Sequence, residues 1–163
     1  MGTNHRRRLI HAPTWIMGLV SVAALAWSDA HADGKRFALD NPVYTAECGS
    51  CHVPYPPALL SARSWQEVLS GLDKHFGSDA SVDAQQLAEL RKYLDQNAGR
   101  GRRVDATQPG LRITETAWFR HEHDEVPSAT WKSGAVKSPA NCPACHTAAA
   151  TGDYSERGIR VPR

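Results

Sequence analysis

Cys48-Gly49-Ser50-Cys51-His52 and Cys142-Pro143-Ala144-Cys145-His146 are two copies of one pattern, Cys-x-x-Cys-His. This spacing marks the covalent attachment of c-type haem. Two cysteines with two residues between them reach the two vinyl groups of a porphyrin, and the adjacent histidine is placed to bind the iron from one side. The protein has four cysteines, and the two motifs use all of them. Two c-type haems are therefore expected, held by Cys48 and Cys51 and by Cys142 and Cys145, with His52 and His146 on the iron.

Other uses of the cysteines fit less well. An exported chain with paired cysteines invites a disulfide reading, but a histidine directly follows each pair. A single zinc site built from all four thiols is possible in principle. The pairs, however, stand about 90 residues apart, against a loop of about 15–20 in zinc ribbons.

Residues 1–32 have the layout of a secretory signal peptide. Arg6, Arg7 and Arg8 form the positive region, Trp15 to Trp27 the apolar run, and Ala30-His31-Ala32 the cleavage site. The apolar run is 13 residues, short of the roughly 20 that span a bilayer. Export to the periplasm and a mature start at Asp33 are expected. Removing the signal leaves 131 residues with 16 basic and 16 acidic side chains. Such a balance gives no case for nucleic-acid binding.

Along the mature chain the patterning is mainly α. Asn41-Pro42 starts a short helix, with Pro at the first turn, which delivers the first motif. Three prolines in Val53-Pro54-Tyr55-Pro56-Pro57 make the next stretch a loop. Ser64-Trp65-Gln66-Glu67 reads as a capping box. It opens a helix that carries Trp65, Val68, Leu69, Leu72 and Phe76 and stops at Gly77. A third helix is expected from Val82 or Asp83 to Asn97, with Leu87, Leu90 and Leu94 on one stripe and Gly99 as terminator. A fourth is expected over Glu115 to Val126, before Pro127. Residues 139–163 show little periodicity and are expected to wrap the second haem. The basic, glycine-bearing run Gly99 to Arg103 divides an N-terminal haem domain, residues 33–99, from a C-terminal one, residues 100–163. Neither is large enough to bury much apolar area unaided, so folding should be coupled to haem attachment.

The iron ligands follow from an absence. The only methionines, Met1 and Met17, lie in the signal, which excludes the His/Met pair of many cytochromes c. Beyond the motif histidines, the mature chain keeps His75, His121 and His123 for two sixth positions. His75 follows Val68 by seven residues and Leu72 by three, on the apolar face of its expected helix. His123 shares a face with Phe119 and Val126, whereas His121 points almost oppositely. Helical phase therefore favours His75 and His123, with His121, and ligation crossed between the two haems, left as alternatives. Trp65, Phe76, Trp118, Phe119 and Trp131 read as haem-packing core. Arg112 and Arg120 either pair with propionates or face solvent.

Several stretches together resemble the periplasmic diheme cytochrome c family. They are Cys48 to His52, Lys74-His75-Phe76-Gly77, Leu111-Arg112-Ile113-Thr114-Glu115-Thr116 with Trp118-Phe119, Glu122-His123, Ser138-Pro139-Ala140-Asn141-Cys142, and the ending Gly158 to Arg163. The resemblance implies an N-terminal domain like class I cytochrome c, a less regular C-terminal domain, and bis-histidine iron in both, with His75 and His123 as distal ligands. It also implies electron exchange with a membrane cytochrome b and donation to a soluble high-spin cytochrome c. No catalytic constellation stands out, so the expected function is one-electron transfer through two low-potential haems. The alternative is a haem enzyme or gas-binding protein with one open iron.

Overall fold

The computed structural model describes residues 2, 35–101, 104 and 110–162. The chain separates into two compact units, Met1–Ala30 and His31–Arg163. The predicted signal peptide lies outside the described residues, apart from Gly2, and so does most of the Arg100 to Gly110 junction. Every other described residue belongs to the second unit.

Five α-helices and a series of 3-10 turns make up the described residues, with isolated bridges in place of a sheet. The helices are α1 (Pro42–Glu47), α2 (Ala62–Ser70), α3 (Ala84–Asn97), α4 (Ala117–Glu122) and α5 (Ser128–Lys132). Asn41 caps α1 by accepting from the Tyr44 N–H at 2.7 Å. A capping box opens α3, where Asp83 accepts from the Gln86 N–H and the Gln86 side chain accepts from the Asp83 N–H. Both starts fall where the sequence places them.

The first core lies among α1, α2 and α3. Tyr44, Leu60, Trp65, Leu69, Leu90, Tyr93 and Leu94 form it, with Leu90 and Leu94 each 1% exposed. Tyr44 and Tyr93 pack with ring centroids 5.2 Å apart. The Trp65 indole N–H donates to the Pro57 carbonyl at 2.7 Å, so a bulky ring is buried with its polar atom satisfied.

Helix α2 departs from expectation at both ends. Its cap is Ser61, not Ser64: the Ser61 hydroxyl accepts from the Ser64 N–H at 3.1 Å. Ser64 is buried inside the first turn, where its hydroxyl meets that of Ser61 at 2.9 Å. The helix ends at Gly71, six residues before Gly77. A 3-10 turn, Leu72–Lys74, follows, and the Ala80 N–H returns to the Leu72 carbonyl at 2.8 Å. Gly71 loses more backbone entropy in a helix than other residues, and the chain turns there. Phe76, expected in the core, is 47% exposed with φ +49°.

The helix predicted over Glu115 to Val126 is also shorter. A 3-10 turn, Ile113–Glu115, precedes it, and Thr116 caps α4 by accepting from the Phe119 N–H at 3.1 Å. The helix stops at His123, whose Nδ1 lies 2.9 Å from the Phe119 carbonyl. That carbonyl is the one the His123 N–H would use if the helix continued, so the side chain takes the place of the backbone donor. Helix α5, after Pro127, has no counterpart in the sequence expectations.

The beginning and end of this unit are tied together. The Phe37 N–H donates to Gly152 at 2.9 Å, the Tyr154 N–H donates to Lys35 at 2.8 Å, and Arg36 pairs with Asp153 at 3.1 Å. Gly152 is required here. Its φ is +76°, and a Cβ would come within 2.2 Å of the Phe37 carbonyl oxygen.

Candidate haem sites

Helix α1 ends at Cys48, whose N–H bonds to the Tyr44 carbonyl at 3.0 Å. The next turn carries Cys51 and His52. At Gly49 a Cβ would lie 2.1 Å from the Thr45 carbonyl oxygen, so the residue after the first cysteine must be small for the motif to fold back on α1. The His52 Nδ1 lies 2.7 Å from the Val53 carbonyl. A carbonyl is acceptor only, so Nδ1 carries the proton and Nε2 is left with a lone pair. The other partner is Tyr55, stacked on the His52 ring at 4.5 Å and 17°.

His75 faces His52 across this site, with centroids 6.4 Å apart and ring planes inclined by 26°. It is reached at the end of the Leu72–Lys74 turn and not on a helix as expected. Both rings line a cavity of about 480 Å³, in the range of about 300–1,000 Å³ typical of cofactor pockets. Cys48, Cys51, Trp65 and Leu72 line it, and so do Leu111 to Thr114 and Ala140 from the other end of the chain. Burial pushes the Cys48 thiol up to about 11, with Glu47 adding to the effect. Burial lowers the pKa of His75, helped by His52 and Arg112, which favours a neutral ring able to bind metal. The Arg112 guanidinium sits 4.1 Å over the Phe76 ring.

At the second motif Cys142–Ala144 form a 3-10 turn, and the His146 N–H closes on the Cys142 carbonyl at 2.8 Å. His123 is the histidine brought against His146, at 6.1 Å and 77° between planes. His121 is exposed on α4. Phe119 stacks on the His123 ring at 4.1 Å, and Trp131, on the unforeseen α5, lies 5.8 Å away. The His123 Nδ1 to Phe119 carbonyl contact again leaves Nε2 as the basic nitrogen. Burial pushes the Cys142 thiol up to about 11. Burial, then His123 and Lys35, lower the pKa of His146.

Each site thus brings together two thiols, a motif histidine and a second histidine, and the first also opens an apolar cavity. That donor set fits a covalently attached haem. A cluster of three or more metal-binding side chains does not occur among the described residues, so the two cysteine pairs belong to separate sites. Sequence reasoning did not single out Tyr154, expected the loop that carries Tyr55 to wrap the haem without naming the ring, and named Leu111 to Thr114 for their family resemblance without placing them at the first haem. Tyr55, three residues after His52 and flanked by prolines, carried the one local signal, a ring held in a rigid loop beside the motif.

Fold and sites define a small helical c-type cytochrome with two haem attachment points. The dihaem cytochrome c family model matches residues 44–154, and the chain belongs to that family. A search among curated proteins finds no match. Among solved structures the chain is similar to a diheme cytochrome c from Rhodobacter sphaeroides, with 39% identity and a TM-score of 0.67, covering 72% of this chain and 99% of that one. It is also similar to a diheme cytochrome type c from Shewanella baltica OS155, at 38% identity and TM-score 0.64, covering 75% and 93%. The protein is accordingly a c-type cytochrome that carries two haems and transfers electrons with redox protein partners. Among the described residues no helix is long and apolar enough to cross a membrane.

Proposed function

We propose that the protein is a periplasmic shuttle for single electrons, with two low-potential haems each held by two histidines. His52 and His75 bind the first iron, and His146 and His123 the second. The carrying observation is the pairing of each motif histidine with one further histidine at nearly equal separations, 6.4 and 6.1 Å. A bound haem supplies a one-electron iron couple. The chain supplies four imidazoles, of which His52 and His123 are oriented by hydrogen bonds to carbonyls, a largely apolar wall around the first haem, and thiols for attachment. Two nitrogen ligands, without a thioether, hold the iron at lower potential than a His/Met pair. Coordination filled on both sides leaves no position for substrate, which argues for a carrier and against an enzyme.

The family resemblance supports a membrane cytochrome b and a soluble high-spin cytochrome c as partners. Residues 33–99 and 100–163 serve as the two haem-bearing domains in this reading, each closing part of the other's site. The test is the low-temperature EPR spectrum of the oxidised protein. Two low-spin haems are expected, one turning high-spin in His75→Ala and the other in His123→Ala, with His121→Ala unchanged. Stoichiometric carbon monoxide binding by the reduced wild type would instead reveal an open iron and defeat the carrier reading.

A further inference from the structure

The two motif histidines differ in what their outer nitrogen meets. In His52 the Nδ1 atom is matched to the Val53 carbonyl. In His146 it is buried and has no hydrogen-bond partner. Among the described residues one other buried side-chain polar atom lacks a partner, and it is the hydroxyl of Tyr154. The rings of these two residues are neighbours, with centroids 5.1 Å apart and planes inclined by 51°. Two orphaned atoms in a native interior call for an explanation, and here they fall on adjacent side chains.

Their chemistry is complementary. A histidine that binds iron through Nε2 holds its proton on Nδ1 and is there a donor only, whereas a phenol oxygen has lone pairs to accept. Other nearby groups are already committed. The Tyr55 hydroxyl donates to the Ala140 carbonyl at 2.8 Å, and Cys142 is used in attachment. Tyr154 is also held in place. Its N–H bonds to Lys35, its ring meets the edge of Phe37 at 5.7 Å, and the preceding Asp153 pairs with Arg36. The segment just after the expected signal cleavage point thus presses Tyr154 toward the second haem site.

We propose that the Tyr154 hydroxyl accepts a hydrogen bond from the Nδ1–H of His146 in the haem-loaded protein and thereby tunes the second haem. Tyr154 is a positioning residue that acts through His146, and the inference rests on His146 being an iron ligand. Accepting from Nδ1–H raises the basicity of a metal-bound imidazole. A more basic ligand favours ferric over ferrous iron and lowers the potential. A tyrosine phenol is protonated at neutral pH and acts here as a neutral acceptor. The first haem has no such adjustable partner, since its acceptor is a backbone carbonyl.

The experiment is a potentiometric titration of the loaded wild type, Tyr154→Phe and, as control, Tyr93→Phe in the first core, each followed by absorbance. In Tyr154→Phe one midpoint potential should rise and the other stay in place, while Tyr93→Phe should leave both in place. Unchanged potentials in Tyr154→Phe, or an equal rise in both, would overturn the inference. Should that variant fail to assemble, the reduced wild type labelled with 15N-histidine decides. A nuclear Overhauser effect between the His146 Nδ1 proton and the Tyr154 ring protons beside the hydroxyl is expected, and its absence overturns the proposal. The wild-type EPR spectrum separates the two readings. A high-spin second haem sinks the ligand assignment, whereas two low-spin haems with an unmoved potential sink the role of Tyr154 alone.

Discussion

At the scale of single residues the two histidine pairs are alike in separation and unlike in angle. His52 and His75 are inclined by 26°, His123 and His146 by 77°. The planes of two axial imidazoles decide how far the iron d orbitals that overlap them split. Near-parallel rings act in one direction and separate the orbitals, giving a rhombic low-spin EPR signal. Near-perpendicular rings leave them close in energy, giving a signal of much larger anisotropy. The oxidised protein should therefore show one signal of each type. His75→Ala should remove the rhombic signal and His123→Ala the highly anisotropic one. Two rhombic signals of the same type would show that the second pair turns on loading. The motif histidines and the absence of methionine narrowed the candidate ligands in the sequence to five histidines, among which helical phase favoured His75 and His123 over His121. The angles were not legible, because they depend on the Phe119 and Tyr55 rings stacked against His123 and His52.

At the scale of elements, a helix start is legible in the sequence where one residue settles it, and ambiguous where two compete. Asn41 has a proline directly after it, and Asp83 has a glutamine at the capping-box offset, which settles each start. Ser61 and Ser64 are three residues apart, and only Ser64 has a glutamate at the capping-box offset. The phase of Trp65 and Leu69 is the same for either start, so periodicity cannot choose. The pattern likewise continues through Gly71 to Phe76, because spacing alone does not register that a glycine sits in the middle. Periodicity therefore gives His75 a helical face it does not occupy, although the turn still aims it at His52. The cap can be tested directly. Ser61→Ala should lower the stability of the loaded protein to urea by about 1 kcal/mol, the usual worth of an N-cap. Glu67→Ala removes only an exposed pair with Arg63 at 3.4 Å and should cost at most a few tenths, as exposed pairs do. A larger loss in Glu67→Ala than in Ser61→Ala would restore the capping box.

At the scale of the whole molecule, the halves divided by the Gly99 to Arg103 run are interlocked. Leu111 to Thr114 and Ala140 wall the first cavity, the Tyr55 hydroxyl reaches Ala140, and residues 35–37 bind residues 152–154. None of these contacts is written in local patterning, since each joins segments far apart in the chain. They do redistribute stability. The core of α1, α2 and α3 buries two tyrosines, a tryptophan and four leucines. Beyond residue 110, the buried hydrophobic side chains are only Phe119, Val136 and Ala149 among the described residues. A region with so few buried apolar groups needs the porphyrin to hold it. Cys142→Ser with Cys145→Ser should therefore expose the C-terminal part to trypsin while the first core persists. Because the strap at residues 35–37 rests on that part, cleavage after Lys35 and Arg36 should accelerate together with cleavage after Lys132 and Lys137. Mass spectrometry of a timed digest should show a resistant fragment that begins near Phe37 and ends within the basic junction. Rapid cuts at Lys132 and Lys137 with Arg36 protected would mean that the strap is held from the N-terminal side, and unaltered resistance throughout would mean that the second haem contributes nothing to the fold.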